Sequence, residues 1–193
     1  MPLGRGGAPV DWLVVGLGNP GSEYDGTRHN IGFEVCWELI SRWGLGKPKS
    51  KYRGLVTEGR VAPGAPRVAV LMPQTYMNEA GSSVGPARGV YGVELDRVLV
   101  VHDEIDLPFG EIRVRTGGGL AGHNGLKSVR QALGSADFTR VRVGVDRPPT
   151  TDPDRVAAYV LGRFREPRDE VASLIDRAAD ATERVVLGET APS

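Results

Sequence analysis

The sequence GLGNPGSEYDGTRHNIGF, residues 16–33, lies between two apolar runs. The run before it, WLVV at residues 12–15, predicts a buried strand, and the run after it, FEVCWELI at residues 33–40, has the spacing of an amphipathic helix. Glycine-rich loops that follow buried strands are where open α/β sheets place their ligands. The stretch therefore predicts an α/β fold whose function lies in a loop at the end of its first strand.

The glycine spacing of this loop, G-x-G-x-x-G at residues 16–21, also matches the dinucleotide-binding fingerprint. That fingerprint needs a helix that begins inside the glycines, so that backbone N–H groups meet a pyrophosphate. Pro20 has no backbone N–H, and residues 22–30 lack the apolar period of a helix. A nicotinamide or nucleotide enzyme is therefore only the third hypothesis, behind the two described below.

The composition is that of a soluble globular protein: of the 193 residues, 40% are hydrophobic and 25% are charged. We interpret residues 1–10 as a flexible tail and residues 11–193 as a single domain. No apolar run approaches the roughly 20 residues that span a bilayer, and the N-terminus lacks the apolar core of a signal peptide. We therefore expect a cytoplasmic protein with no membrane association.

Apolar patterning predicts the order of the elements. Strands are expected at residues 11–17, 52–61, 67–72, 97–101, 111–116 and 138–145. Helices are expected at residues 30–43, from Asn78 to a break at Gly85 and Pro86, at 126–133, at 153–160 and from 167 onward. The first helix should turn inward Phe33, Val35 or Cys36, Trp37 and Ile40, and residues 47–51 should be a connection.

The net charge is zero, which argues against indiscriminate binding to nucleic acid. Residues 111–147 nevertheless carry seven basic residues and three acidic ones. In the strand patterns there, Arg113 and Arg115 share one face of their strand, and Arg140 and Arg142 share one face of another. The segment is either a local basic face or ordinary solvated surface, and the charges alone leave both open.

Two of the three histidines, His29 and His123, lie in glycine-rich polar loops, and the third, His102, follows a buried strand. Histidine is the side chain best suited to acid–base chemistry near neutral pH. Asp103, at the same strand end, would orient an imidazole in one tautomer, as a histidine base requires. It would equally well cap a turn with Asp106, and the sequence leaves both roles open.

Asparagines recur in these loops, at Asn19, Asn30, Asn78 and Asn124. Amide side chains donate to a developing oxyanion or hold a water without adding charge, although asparagine is also a common turn residue. No His-Glu-x-x-His or Cys-x-x-Cys motif is present, and the only cysteine, Cys36, lies on the apolar side of a helix. We therefore predict a site without metal or cofactor, in which a histidine activates water.

Six motifs, in order between residues 11 and 165, give the chain a family resemblance. They are GLGNPG (16–21), TRHN-x-GF (27–33), TYMN (75–78), HDE-x-DLP (102–108), GHNG (122–125) and F-x-R-x-R-x-G (138–144). On these motifs the chain resembles the bacterial peptidyl-tRNA hydrolases. The resemblance implies a monomeric α/β domain, with a mixed sheet flanked by helices, that cleaves the ester between a peptide and the terminal ribose of tRNA.

The resemblance also implies catalytic roles for the matching residues. His29 would be the base that activates water, and Asp103 would be the carboxylate that orients it. Asn19, Asn78 and Asn124 would be the amides that place the substrate and the intermediate.

For substrate binding, the resemblance implies that Tyr24, Met77 and His123 line the cleft for the peptide and the terminal nucleotide. Arg115 and Arg142 would clamp a phosphate of the tRNA. Peptidyl-tRNA is therefore the expected partner.

The chain departs from the family pattern at four positions. Leu120 and Ala121 replace a histidine and a glycine of the glycine loop, and Asp146 replaces a strand-end glycine. Met72 stands where lysine commonly precedes Pro73. These changes bear on affinity and loop mobility, because every residue of the expected chemistry is present.

The main alternative is a non-catalytic RNA-binding protein on the same fold, of the kind that the family's relatives in plant organelle intron splicing exemplify. A fold alone does not separate the two. The presence of His29, Asp103 and the three asparagines favours the enzyme. The balanced net charge gives little support for a large RNA-binding face.

Overall fold

The computed structural model describes residues 8–189, which form a seven-stranded sheet with helices on both faces. The strands are β1 (Trp12–Gly16), β2 (Lys49–Lys51), β3 (Gly54–Arg60), β4 (Arg67–Pro73), β5 (Val98–Glu104), β6 (Ile112–Thr116) and β7 (Thr139–Gly144). Their order across the sheet is β2-β3-β4-β1-β5-β7-β6. The central strands β4, β1, β5 and β7 are parallel, whereas β2, β3 and β6 run antiparallel to their neighbours. The predicted α/β fold with a mixed sheet is therefore confirmed.

The helices are α1 (Ile31–Arg42), α2 (Gly81–Tyr91), α3 (Asn124–Leu133), α4 (Pro153–Val160) and α5 (Arg168–Val186). Because successive residues of a strand point to opposite faces, the central strands bury side chains on both sides. One core, under α1 and α5, contains Val14 and Leu99, and the other, under α2 and α3, contains Leu13 and Val100. No helix within residues 8–189 is both long and apolar enough to cross a membrane.

The inward face of α1 differs from the prediction at Trp37, which is 47% exposed. The buried positions are instead Ile31, Gly32, Val35, Cys36, Leu39 and Ile40. These buried residues are neighbouring pairs that recur every four positions, so they form one stripe along the helix that packs on the sheet. Trp37 lies at the border of this stripe.

α2 runs unbroken through Gly85 and Pro86, where the sequence predicts a break. Its first residue touches α3, since a β-carbon at Gly81 would lie 2.2 Å from the carbonyl oxygen of Ser128. Pro86 is exposed, so water can satisfy the carbonyl group that its missing N–H leaves free. Packing against α3 therefore overrides the poor helix propensity of this segment.

The segment at residues 47–51 is not a plain connection, because Lys49–Lys51 pairs with β3 as an edge strand. All three of its residues are exposed, so it carries no apolar alternation that a sequence reading could detect. The predicted tail lies largely outside the described residues, and its last part, residues 8–10, has no regular structure. The other predicted strands and helices are confirmed at or near their expected bounds.

Candidate active site

Three parallel strands, β4, β1 and β5, end at the same edge of the sheet, and the loops that follow them meet there. The loop after β1 lies against β5, with the backbone N–H of Leu17 donating to the carbonyl oxygen of Val101 at 3.1 Å. A β-carbon at Gly32 would lie 2.5 Å from each of these two atoms. Glycine at this position therefore lets the start of α1 approach the strands, which brings His29 to the end of β5.

Asp103, at the end of β5, accepts hydrogen bonds from two imidazoles and is only 3% exposed. His29 Nδ1 lies 2.8 Å from its Oδ2, and His123 Nε2 lies 2.8 Å from its Oδ1. We call these three residues the imidazole site. The orienting role predicted for Asp103 fits this geometry, and the alternative turn cap with Asp106 does not, because the described contacts of the Asp103 carboxylate go to the histidines.

The partners of each ring fix its tautomer. His123 caps α3, since its Nδ1 accepts from the backbone N–H groups of Gly125 at 3.1 Å and Leu126 at 3.3 Å. Its proton is therefore on Nε2, where it donates to Asp103. His29 donates to Asp103 through Nδ1, which leaves its Nε2 as an acceptor that can take a proton from water.

Burial and charge act on these groups in opposite directions. Burial lowers the pKa of His29, but the negative charge of Asp103 and the hydrogen bond to it outweigh this effect, so the pKa lies above the ordinary value of 6.5. Burial raises the pKa of Asp103, but the charges and hydrogen bonds of His29 and His123 more than reverse this and hold it well below its usual range. Asp103 is therefore ionised at neutral pH and favours the imidazolium form of His29.

His102 is buried beside the imidazole site but is not part of it. Its Nδ1 donates to the backbone carbonyl of Asp103 at 2.8 Å, and its ring lies 5.2 Å from that of His123. Burial is the main cause that lowers the pKa of His102 to about 3, so this ring is neutral. It supports the strand end and carries no exchangeable charge near neutral pH.

Asn19 is buried in the loop after β1 and joins it to the loop after β4. Its Oδ1 accepts from the backbone N–H of Met77 at 2.7 Å. Asn30 holds it from behind: Asn30 Oδ1 accepts from Asn19 N at 2.8 Å, and Asn30 Nδ2 donates to Asn19 O at 2.9 Å. Sequence reasoning noted Asn30 but gave it no role, although its position directly after His29 was a usable signal.

The other predicted site residues lie around the same edge. Asn78 and Asn124 are exposed, and their side-chain amides have no hydrogen-bond partner within residues 8–189. Met77 is buried, with its sulfur 2.5 Å from where a β-carbon of Gly125 would be. Tyr24 is half-buried in a 3₁₀ turn of the β1 loop, and no described contact joins its ring to the imidazole site.

The predicted basic residues share one face of the sheet. In the register of β6 with β7, Arg113 lies opposite Arg142 and Arg115 opposite Arg140. Paired residues of antiparallel strands point to the same side, so the two arginine pairs expected from the sequence form a single cluster, which we call the arginine face.

The four arginines differ in burial. Arg140 is 2% exposed, and its guanidinium donates to the carbonyl oxygens of Gly118, Gly119 and Ala136. Burial, reinforced by the charges of Arg115 and Arg142, lowers the pKa of Arg140. Arg140 therefore fastens the glycine loop from below, a role that sequence reasoning missed.

Arg115 is exposed and covers Gly118, where a β-carbon would lie 2.6 Å from its Cζ. Arg142 is partly buried and paired with Glu104, whose Oε1 lies 2.9 Å from both its Nε and its Nη2. The two residues expected to clamp a phosphate therefore both lie on the arginine face, but only Arg142 is held by a carboxylate.

Two of the departures from the family pattern have left-handed backbone. Ala121 has φ of 49° and Asp146 has φ of 71°, a region that favours glycine. Leu120 packs partly buried against the core under α2 and α3, and Met72 is buried in the core under α1 and α5. The departures thus alter loop strain and packing and leave the imidazole site intact.

Among residues 8–189, the grouping of side chains suited to a metal ion is the imidazole site itself, whose ligand atoms lie within 4.8 Å of one another. The two nitrogens that face Asp103 are hydrogen-bonded to it, and His123 Nδ1 is occupied by the α3 cap. With both rings donating to the carboxylate, the arrangement is suited to an oriented base.

The family model for peptidyl-tRNA hydrolase matches residues 13–192. A peptidyl-tRNA hydrolase of a Mycobacterium species (strain KMS) is 50% identical over 183 residues, which cover 94% of this chain and 93% of the relative. Another from Halalkalibacterium halodurans is 46% identical over 172 residues, which cover 89% and 91%. The crystal structure of peptidyl-tRNA hydrolase from Acinetobacter baumannii is 38% identical, with a TM-score of 0.81 over 93% of this chain and 89% of that one. This chain therefore belongs to the peptidyl-tRNA hydrolase family.

Proposed function

We propose that this protein hydrolyses the ester bond between tRNA and a peptide or N-blocked amino acid, and so returns tRNA from aborted translation to use. The observation that carries the proposal is the imidazole of His29, at the edge where the strand-end loops meet: Nδ1 is hydrogen-bonded to ionised Asp103, and Nε2 has no partner within residues 8–189. This is the arrangement of an oriented general base.

The reaction follows from these positions. His29 Nε2 takes a proton from a water whose oxygen attacks the ester carbonyl carbon, and the carbonyl oxygen becomes an oxyanion. The tetrahedral intermediate collapses as the bond to the terminal ribose oxygen breaks, and that oxygen recovers the proton from the His29 imidazolium. Asp103 stabilises the imidazolium between these steps because its carboxylate stays ionised.

The amides of Asn78 and Asn124 have the free donors that a developing oxyanion or the substrate needs. Asn19 shapes the site through its bond to the N–H of Met77. In this proposal Tyr24, Met77 and His123 border the cleft for the peptide and the terminal nucleotide.

On the arginine face, Arg115 and Arg142 bind a phosphate of the tRNA. Arg115 lies on β6 and Arg142 lies on β7. Strand β7 pairs directly with β5, which ends in Asp103 and Glu104. We further propose that the protein is a monomer in the cytoplasm and that it consists of a tail, residues 1–10, and a single domain, residues 11–193.

A non-catalytic RNA-binding protein on the same fold is not supported, because the similar relatives are named as hydrolases and the oriented base is intact. The deciding experiment is incubation of the pure protein with N-acetyl-aminoacyl-tRNA and, separately, with unblocked aminoacyl-tRNA. Cleavage of the blocked substrate alone is expected. Binding of both without cleavage of either would favour the RNA-binding alternative.

The same assay tests the expected independence of metal ions. Activity should survive exhaustive chelation, because His29 activates water without a Lewis acid. Loss of activity in chelator, with recovery on addition of zinc, would instead assign the imidazole site to a metal.

A further inference from the structure

The end of β5 carries two consecutive carboxylates, one of which binds imidazoles and the other a guanidinium. Asp103 binds the imidazoles of His29 and His123, and Glu104 binds the guanidinium of Arg142. Because consecutive strand residues point to opposite faces, the two contacts start from opposite sides of one strand end. The backbone therefore links the imidazole site to the arginine face through a single peptide unit.

The contact between Glu104 and Arg142 fixes the orientation of the guanidinium. Glu104 is 5% exposed, and its Oε1 receives both Nε and Nη2 of Arg142 at 2.9 Å. A guanidinium gripped at two nitrogens cannot rotate freely, and its remaining N–H groups keep a fixed direction. Glu111, another acid beside this face, is 45% exposed in its side chain and reaches Arg113 only at 3.4 Å.

Glu104 offsets repulsion among the arginines, since its charge favours the charged form of Arg140, but for phosphate binding its charge is unfavourable. A carboxylate on a phosphate-binding arginine weakens the field that attracts the phosphate. A benefit of Glu104 to phosphate binding would come from pre-ordering the arginine, since a guanidinium that is already immobile loses less entropy when the phosphate arrives. The two effects have opposite signs, so an experiment can separate them.

We propose that Glu104 is a positioning residue for the substrate, which holds the guanidinium of Arg142 in the orientation that binds a phosphate of the tRNA. The inference rests on the proposed function, because it takes Arg142 as a phosphate contact. It adds a residue to which neither the motifs nor the predicted clamp gives a role.

The test compares Glu104→Ala and Glu104→Gln with the matched control Glu111→Gln. Binding is measured as the Kd for deacylated tRNA, and kinetics are measured with full-length N-acetyl-aminoacyl-tRNA and with a minimal substrate that keeps only the terminal nucleotide and blocked amino acid. Glu104→Ala should raise Kd and KM for full-length tRNA about fivefold and leave kcat unchanged. Glu104→Gln keeps an oxygen acceptor, so its Kd and KM should lie between those of Glu104→Ala and the wild type. Glu111→Gln should bind tRNA as tightly as the wild type or more tightly.

Three results would overturn the proposal. Tighter tRNA binding by both Glu104 variants would mean that Glu104 only screens charge. An equal loss of kcat on full-length and minimal substrates would mean that it acts through Asp103. In an Arg142→Ala background, Glu104→Ala should change Kd no further, and an additive effect would break the link between the two residues. Because Kd uses deacylated tRNA, these binding results stand even if the wild type hydrolyses nothing, which would count against the proposed function alone.

Discussion

The imidazole site lies at the carboxyl end of β5, and the arginine face lies on the strands beside it, β7 and β6, yet the two regions are built differently. In the imidazole site, both rings and the carboxylate are largely buried, and each has its partner at 2.8 Å. On the arginine face, Arg140 and Arg142 are fastened, but Arg113 is 62% exposed in its side chain and Arg115 is also exposed. A general base needs atoms in fixed positions, whereas a polyanion can be attracted by mobile charges in water.

The largest expected effect comes from removing the base of the imidazole site. His29→Ala should lower kcat by about 10² to 10⁴, because a positioned general base contributes a factor of this size. The fold should remain, since His29 lies in the short 3₁₀ turn Arg28–Asn30, outside both cores. Circular dichroism and initial rates on N-acetyl-aminoacyl-tRNA measure the two outcomes.

The matched control is Cys36→Ser in α1. Cys36 is fully buried, and burial raises the pKa of its thiol, so it is an inert core residue that should tolerate this change with most activity kept. An inactive Cys36→Ser variant beside an active His29→Ala variant would show that the wrong residue has been taken as the reactive group.

The next largest effect is expected from removing the charge of Asp103, which raises the pKa of His29. The base must be neutral to accept a proton, so kcat/KM should rise with pH through a midpoint above 6.5, the direction in which Asp103 shifts the pKa of His29. Asp103→Asn removes that charge, so the rate should fall by about 10²-fold or more and the midpoint should move to lower pH. A midpoint that stays in place in the variant would separate Asp103 from the titration of the base.

A smaller effect, confined to large substrates, is expected from the arginine face. Arg115→Ala should raise KM for full-length tRNA substrates and reduce the salt slope of tRNA binding by about 1, as loss of one phosphate contact does. The minimal substrate should be cleaved as by the wild type. Lys51→Ala, on the edge strand β2 at the other end of the sheet, is the control for lost charge and should change neither value. Equal responses of both substrates would place Arg115 among solvated surface residues.

The smallest effect concerns the loop between the two regions. Ala121→Gly should stabilise the protein by about 0.5–1 kcal/mol, because it relieves a left-handed alanine but adds freedom to the unfolded chain. Ala157→Gly on the exposed side of α4 should do the reverse, since alanine favours a helix. Thermal unfolding measures both, and a lower melting temperature for Ala121→Gly would mean that the loop gains from the alanine.

Residues near each other in the chain were the ones that the sequence predicted well. The strand at residues 97–101, the start of α4 at Asp152 and the loop position of His29 follow from apolar runs, a cap and glycines, which act over a few residues. Trp37 was placed wrongly because several faces of α1 are apolar, and only packing selects one.

The contacts that sequence reasoning missed join distant segments. The bond of His123 to Asp103 depends on where α3 docks, and the burial of Arg140 depends on the register of β6 with β7. Glu104 belonged to a recognised motif, but its partner Arg142 lies 38 positions later in the chain. Such pairings are set by tertiary packing, which no local pattern encodes.

The cap that His123 forms on α3 distinguishes it from His29, the other ring bound to Asp103. A proton added to its Nδ1 would end the bonds to the N–H groups of Gly125 and Leu126 and loosen the first turn of the helix. His29 Nε2 makes no described bond to the backbone, so in the proposed mechanism it gains and loses a proton without disturbing a helix cap. Of the two imidazoles bound to one carboxylate, His29 is thus the proposed base, and His123 holds the first turn of α3 in place.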